Sequence, residues 1–185
     1  TESTKEMVDF DTLLQHLEKR KNVLTGFVIS GGEPLLHPEL PEMIKKIKEM
    51  GYLVKLDTNG CQSKALAKLF ENKDTRPDFV AVDLKTSPEK YHLLGIDSVT
   101  AEKQLQKSIE IISILPSNQR EYRTVLVPPL VSDKEIPVMA SLLPHDANWM
   151  FTQFRNDNCL DSSYNQISPY TEKELLSLVN LAQTY

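Results

Sequence analysis

The feature that most limits the fold of this chain is an alternation. Short apolar runs recur along its 185 residues, the first three at roughly 26-residue spacing, with an amphipathic helical pattern after each. VLTGFVIS (23–30), YLVKLD (52–57), FVAVDL (79–84), YRTVLVP (122–128) and NWMFTQF (148–154) read as strands. Phe10, Leu13, Leu14 and Leu17 share a helix face ahead of the first strand, and Leu40, Met43, Ile44 and Ile47 share one after it. Leu66, Leu69 and Phe70 mark a further helix, Leu105, Ile109 and Ile112 another, and a weaker one ends near Leu143. Leu175, Leu178, Val179 and Ala182 form the face of the last. Pro38 suits a first helical turn and Gly51 a helix end.

Repetition of this kind builds a parallel sheet, because parallel neighbours need a crossover long enough to hold a helix. Five strands do not close a (β/α) barrel by themselves, so the expected fold is α/β, an open or partial barrel or a doubly wound sheet. The wider gap over residues 85–120 leaves room for an extra helix or a lid. With no Gly/Ser linker and no shift of composition, residues 1–185 read as a single domain. The helix ahead of the first strand points to a preceding βα unit outside this chain.

The net charge of −5 argues against a general nucleic-acid or anionic-membrane binder, since both want a basic face. No stretch approaches the ~20 apolar residues of a membrane-spanning helix. The first ten residues, TESTKEMVDF, lack the layout of a signal peptide and carry no initiator methionine, so a piece of a longer protein is expected. Cys61 and Cys159 match no metal-ligand spacing and read as free thiols of a reducing cytosol. Gly-x-Ser-x-Gly, the Walker loop and the dinucleotide Gly-x-Gly-x-x-Gly are all absent.

Chemistry-bearing residues follow the strands. Ser30-Gly31-Gly32-Glu33-Pro34 comes after the first, Asp57-Thr58-Asn59-Gly60 after the second and Asp83-Leu84-Lys85 after the third. Arg123 lies on the fourth, and Gln153-Phe154-Arg155-Asn156-Asp157 follows the fifth. In parallel α/β architectures the carboxyl ends of strands lie together, and ligands bind there. Glu33, Asp57 and Asp83 therefore share one mouth. Two carboxylates ~5 Å apart repel by about 3 kcal/mol at an effective dielectric of ~20, so cations must intervene or one acid takes up a proton. Lys85 and Arg123 supply some positive charge, and a ligand carrying an ammonium group, or a bound monovalent ion, would supply more.

Each element also has a plain reading. Gly31-Gly32 serves as a tight turn with Glu33 at the next helix N-terminus, and Asp57-Thr58-Asn59-Gly60 as a turn that bonds its own backbone. Asp83 and Lys85 form a structural ion pair, and Arg123 is solvated. His37, His92 and His145 follow no ligand spacing, and Trp149 suits the core.

In sequence, Gly-Gly-Glu-Pro (31–34), Leu-Asp-Thr-Asn-Gly (56–60) and Asp-Leu-Lys (83–85) at successive strand ends resemble the radical S-adenosylmethionine enzymes. More narrowly, residues 17–60 resemble the activating proteins of anaerobic ribonucleoside-triphosphate reductases, and FVAVDLK and YRTVLVP fall where pyruvate formate-lyase activating enzymes carry similar strands. The likeness covers most of residues 9–130. It implies a radical-type partial (β/α) barrel with about five βα units present and the first, cluster-bearing unit outside the chain. It implies that Ser30, Gly31, Gly32 and Glu33 take the methionine ammonium. Asp57, Thr58 and Asp83 would hold its carboxylate, with a monovalent cation between them in some members. Asp83 and Lys85 would approach the ribose and Arg123 the ligand or incoming peptide, while Phe154 or Arg155 are candidates for the adenine.

The family's reaction also needs a Cys-x-x-x-Cys-x-x-Cys loop holding a 4Fe–4S cluster, which this sequence lacks. The resemblance thus implies cluster ligands upstream of residue 1, no catalytic residue here, and no activity for this chain alone. In the complete enzyme, a 5′-deoxyadenosyl radical would take hydrogen from a glycine of a partner glycyl radical enzyme. Electrons would come from a flavodoxin or ferredoxin, in an anaerobic cytoplasm. Three other readings stand beside it: a radical enzyme acting on a small molecule, such as a deazapurine synthase; a cluster-less binding module; and an α/β enzyme using the strand-end acids for a divalent metal.

Overall fold

The structure, a computed structural model, describes residues 9–185. Five parallel strands form one sheet in the order β1-β2-β3-β4-β5: β1 Gly26–Ile29, β2 Leu53–Thr58, β3 Phe79–Asp83, β4 Arg120–Leu126 and β5 Trp149–Gln153. Helix α1 (Phe10–Arg20) precedes β1. Then α2 (Leu40–Glu49), α3 (Ser63–Phe70), α4 (Ser98–Ile112) and α5 (Glu135–Ala140) fill the crossovers, and α6 (Glu172–Ala182) follows β5.

Strand order settles the architecture. A parallel crossover is right-handed, so strands laid down in sequential order place every connecting helix on the same side of the sheet. A doubly wound sheet would need the order to reverse, and it does not. The fold is therefore the partial (β/α) barrel, with one sheet face covered and the other bare.

Register sorts the side chains accordingly, since successive residues of a strand point to opposite faces. Ile29, Val54, Leu56, Val80, Val82, Leu84, Tyr122 and Leu126 point into the helices and are buried, and with Ile44, Ile47, Leu66, Leu69, Leu105 and Ile112 they make the core. On the bare face Val28 pairs with Lys55, Asp57 with Ala81, Ala81 with Glu121, and Asp83 with Arg123.

Local chemistry explains the element ends. Asp9 caps α1 by accepting from the Thr12 amide, and Asp97 caps α4 by accepting from the Thr100 amide. Thr171 and Glu174 close a reciprocal capping box on α6. Gly51 takes a φ of +90° just past α2, as its place in sequence implied. Three expectations shift. The first strand is only Gly26–Ile29, because Val23 and Leu24 belong to the turn that ends α1 and are exposed. Helix α2 begins at Leu40 with Pro41 in its first turn, while Pro38 lies ahead of it. Trp149 is only half buried, stacking on Phe151 at 4.5 Å and donating its indole N–H to Thr124 Oγ1. The 85–120 segment holds a 3-10 helix, Pro88–Leu94, and then α4.

Candidate active site

The site is built where strands end. After β1, Gly31 and Gly32 adopt φ of +92° and +50°, a region that L side chains enter at a cost. A side chain on either would meet no atom within 4 Å, so conformation alone demands glycine, and the space above the turn is open.

Glu33 follows, with 8% of its surface exposed. Its Oε1 accepts from the Leu35 amide at 3.2 Å and from the Thr58 hydroxyl at 2.7 Å, and its Oε2 accepts from the Asn59 amide at 2.8 Å. It thus caps the 3-10 turn Pro34–Leu36 and holds the loop after β2. A carboxylate offers about four lone-pair positions, which leaves one for a ligand donor.

Asp57 and Asp83 point to the bare face, and Arg123 bridges them. Its Nε donates to Asp83 Oδ1 at 2.8 Å and its Nη1 to Asp57 Oδ2 at 3.0 Å. Lys85 Nζ reaches Asp83 Oδ2 at 2.7 Å, and the Lys85 amide donates to the Tyr91 hydroxyl. Burial by itself would lower the Arg123 pKa, but the hydrogen bonds and charges of Asp83 and then Asp57 outweigh it and hold the guanidinium more firmly protonated than usual. Among the described residues, none donates a hydrogen bond to the buried Asp57 Oδ1.

Two residues of this lattice were not singled out in the sequence. Lys55 Nζ pairs with Glu121 Oε1 at 2.7 Å, lies 3.8 Å from Asp57 Oδ1 and sits over the Phe79 ring at 4.9 Å. The signal was present: Lys55 stands two residues before Asp57 and Glu121 two before Arg123, so each shares its neighbour's face. Ala81 lies between the strands that carry them and is fully buried under their side chains.

The structure does not bring Asp57, Thr58 and Asp83 round one point. Strand alternation turns Thr58 to the covered face, where its hydroxyl bonds Glu33, and the Arg123 guanidinium fills the space between the two aspartates. Among the described residues no group of three or more His, Cys, Asp or Glu side chains is placed to hold a metal ion. Phe154 is buried, whereas Arg155 is exposed and pairs with Asp157 at 3.3 Å. Cys61 is half buried beside Glu33. Burial first, and the nearby Glu33 charge second, push its thiol up to about 11.

An open glycine turn, the remaining lone pair of Glu33 and a set of acids and bases near strand ends fit a ligand that carries ammonium and hydroxyl donors together with a carboxylate. S-adenosylmethionine has that donor set. Two cysteines remote in sequence do not fit a four-iron cluster.

Comparison with known proteins bears on the family and the fold. The chain is 30% identical over 163 residues to a protein of Methanocaldococcus jannaschii named as a glycyl-radical enzyme activating enzyme, covering 86% of this chain and 67% of that protein. It is 39% identical over 87 residues to a protein of Methanococcus maripaludis (strain C5) named as a GTP 3′,8-cyclase, covering 45% of this chain and 28% of that one. The fold superposes on the crystal structure of archaeal TYW1 with a TM-score of 0.65 at 14% identity, over 100% of this chain and 66% of that one. The chain thus spans about two thirds of the first relative and of the TYW1 structure. Its residues 2–143 match the sequence profile of the Radical SAM superfamily, and the chain belongs to that superfamily.

Proposed function

We propose that this chain is the S-adenosylmethionine-binding part of an enzyme that activates a glycyl radical protein. The observation that carries the reading is the convergence of the Gly31–Gly32 turn and Glu33 with Asp57, Asp83 and Lys85 at the ends of adjacent strands, with Arg123 reaching the two aspartates from within β4. The name of the Methanocaldococcus jannaschii relative supports the choice of partner.

In this reading the carbonyls of Ser30 and the two glycines, with the remaining lone pair of Glu33, receive the ligand's ammonium. Asp83 and Lys85 meet the ribose hydroxyls and the carboxylate. Arg123 orients the ligand or the incoming glycine-bearing peptide. Bound S-adenosylmethionine would supply the 5′-deoxyadenosyl group that accepts the glycine hydrogen. Cys61 and Cys159 take no part. The superfamily's 4Fe–4S cluster belongs, in this proposal, to other cysteines, reduced by a flavodoxin- or ferredoxin-type donor in an anaerobic cytoplasm. The free edge of β1 and the apolar cleft of about 360 Å³ beside it, lined by Leu13, Phe27, Ile29 and Met43, are where a preceding βα unit would pack.

Isothermal titration with S-adenosylmethionine, and separately with magnesium, tests the site. Heat with the first and none with the second is expected; magnesium binding alone sinks the reading. The activity is tested by mixing the relative-length protein, its cluster rebuilt, with a glycyl radical enzyme and recording electron paramagnetic resonance. A glycine-centred doublet is expected. Its absence, from a protein that still cleaves S-adenosylmethionine, favours a radical enzyme for a small molecule. The cyclase-named relative, with its higher identity over a shorter span, supports that second reading.

A further inference from the structure

The two turns that frame the site are held very differently. The Asn59–Gly60 turn is rigid. A side chain on Gly60 would meet Val82 Cγ1 at 3.0 Å and Leu105 Cδ2 at 3.1 Å, and the buried Ser108 hydroxyl donates to the Gly60 carbonyl at 2.7 Å. At Gly31 and Gly32, both exposed, an added Cβ would meet no described atom within 4 Å, and glycine is the residue with most conformational freedom to lose. Left alone, this turn would not keep one geometry.

What joins the two is a chain of hydrogen bonds on the covered face. The Gly60 amide donates to Thr58 Oγ1 at 3.1 Å, the Thr58 hydroxyl donates to Glu33 Oε1 at 2.7 Å, and the Asn59 amide donates to Glu33 Oε2 at 2.8 Å. Thr58 is 3% exposed and points away from the ligand face, so it does not touch a ligand lying there.

We propose that Glu33 and Thr58 form a staple that fixes the glycine turn from the rigid turn across the strand boundary, which makes Thr58 a positioning residue for the ligand site. The carboxylate that ends the glycine motif then does two things. It offers one lone pair to the ligand and spends the others on geometry. The ligand arm of the proposal rests on the S-adenosylmethionine reading above; the coupling between the turns does not.

The test uses the chain itself and the variants Thr58→Val, which keeps shape and loses the hydroxyl, and Thr58→Ser, which keeps the hydroxyl. Amide hydrogen exchange is read without ligand. In Thr58→Val the Leu35, Leu36 and His37 amides, which bond Glu33 and Pro34 oxygens, should exchange about tenfold faster, the worth of one buried hydrogen bond. The Leu56 amide in the middle of β2 should stay as protected as in the wild type, showing that the sheet is intact. Affinity for S-adenosylmethionine by calorimetry should fall by about the same factor, and Thr58→Ser should restore both to within about twofold.

Unchanged exchange at residues 35–37 in Thr58→Val overturns the staple. A loss of affinity that Thr58→Ser does not restore also overturns it, because a hydroxyl-independent effect belongs to packing. A wild-type chain that binds no S-adenosylmethionine sinks the ligand reading instead, and the exchange measurement still decides the coupling.

Discussion

Asp57 and Thr58 are neighbours in sequence and work on opposite sides of the sheet. On the covered side polar groups are few; the two threonines have short, specific tasks, whereas the buried Tyr122 hydroxyl has no hydrogen-bond partner among the described residues. Thr58 bonds Glu33, Thr124 donates to the Leu84 carbonyl and receives the Trp149 indole, and the surroundings are aliphatic. On the bare side six charged side chains share one another: Asp57, Asp83 and Glu121 against Lys55, Lys85 and Arg123. The difference teaches where stability and function are kept apart. Apolar burial on one face holds the strands in register, which leaves the other face free to carry a salt lattice that contributes little to folding.

The sharpest way to break this division is Leu56→Ala. Leu56 is fully buried on the covered face, and its truncation should cost about 3 kcal/mol in chemical denaturation. A cost under about 1 kcal/mol would mean that the covered face is not what holds the sheet.

Cys61 probes the same side next. With its thiol raised to about 11 against 9.0 for the free group, the thiolate fraction near pH 8 is about a hundredfold lower than for an unperturbed cysteine. Iodoacetamide should label Cys159 first, and the Cys61 rate should keep climbing with pH up to about 11. The sign for stability follows. A thiol whose folded pKa is raised favours the folded state while protonated, so its contribution is intact below pH 9 and is lost as pH rises toward 11. Equal labelling of both cysteines at pH 8 would contradict the burial of Cys61.

Gly31→Ala lies at the boundary between the faces. The new methyl touches nothing, so only the positive φ is penalised, by about 1 kcal/mol, or a melting shift of about 2–4 °C. Affinity for S-adenosylmethionine should drop more than stability does. A large loss of stability would show that the turn is packed after all.

Lys55→Met should do least to folding. Lys55 and Glu121 keep 29% and 17% of their side-chain surface, and Arg123 Nη1, 4.0 Å from Glu121 Oε1, still faces that carboxylate when Lys55 is gone, so stability should change by about 1 kcal/mol by thermal denaturation. A larger effect would make the lattice a structural element.

Much of this was legible from residues alone, and the remainder has physical causes. Alternation gave the five strands and the helices between them, because each parallel crossover needs its own helix, but it left their order in the sheet open between a partial barrel and a doubly wound sheet. It did not give the ends of β1, since Val23 and Leu24 are as apolar as strand residues yet serve the turn that closes α1. Composition at strand ends pointed to Asp57, Asp83 and Arg123, and the structure brings them within hydrogen-bonding distance. The sidedness of Thr58 and the Lys55–Glu121 pair were also encoded, in the period of two. Reading them required knowing which face the helices cover, and that depends on strand order rather than on any local run of residues.

The lattice on the bare face has equal numbers of acids and bases. Charges that cancel within a few ångströms project almost no field beyond one another, and added salt has little left to screen. A ligand approaching this face is not steered from a distance. In the proposed function it would be recognised on contact, by exchanging its own charges for those already paired there, so occupancy should depend on shape and on which pairs open rather than on ionic strength.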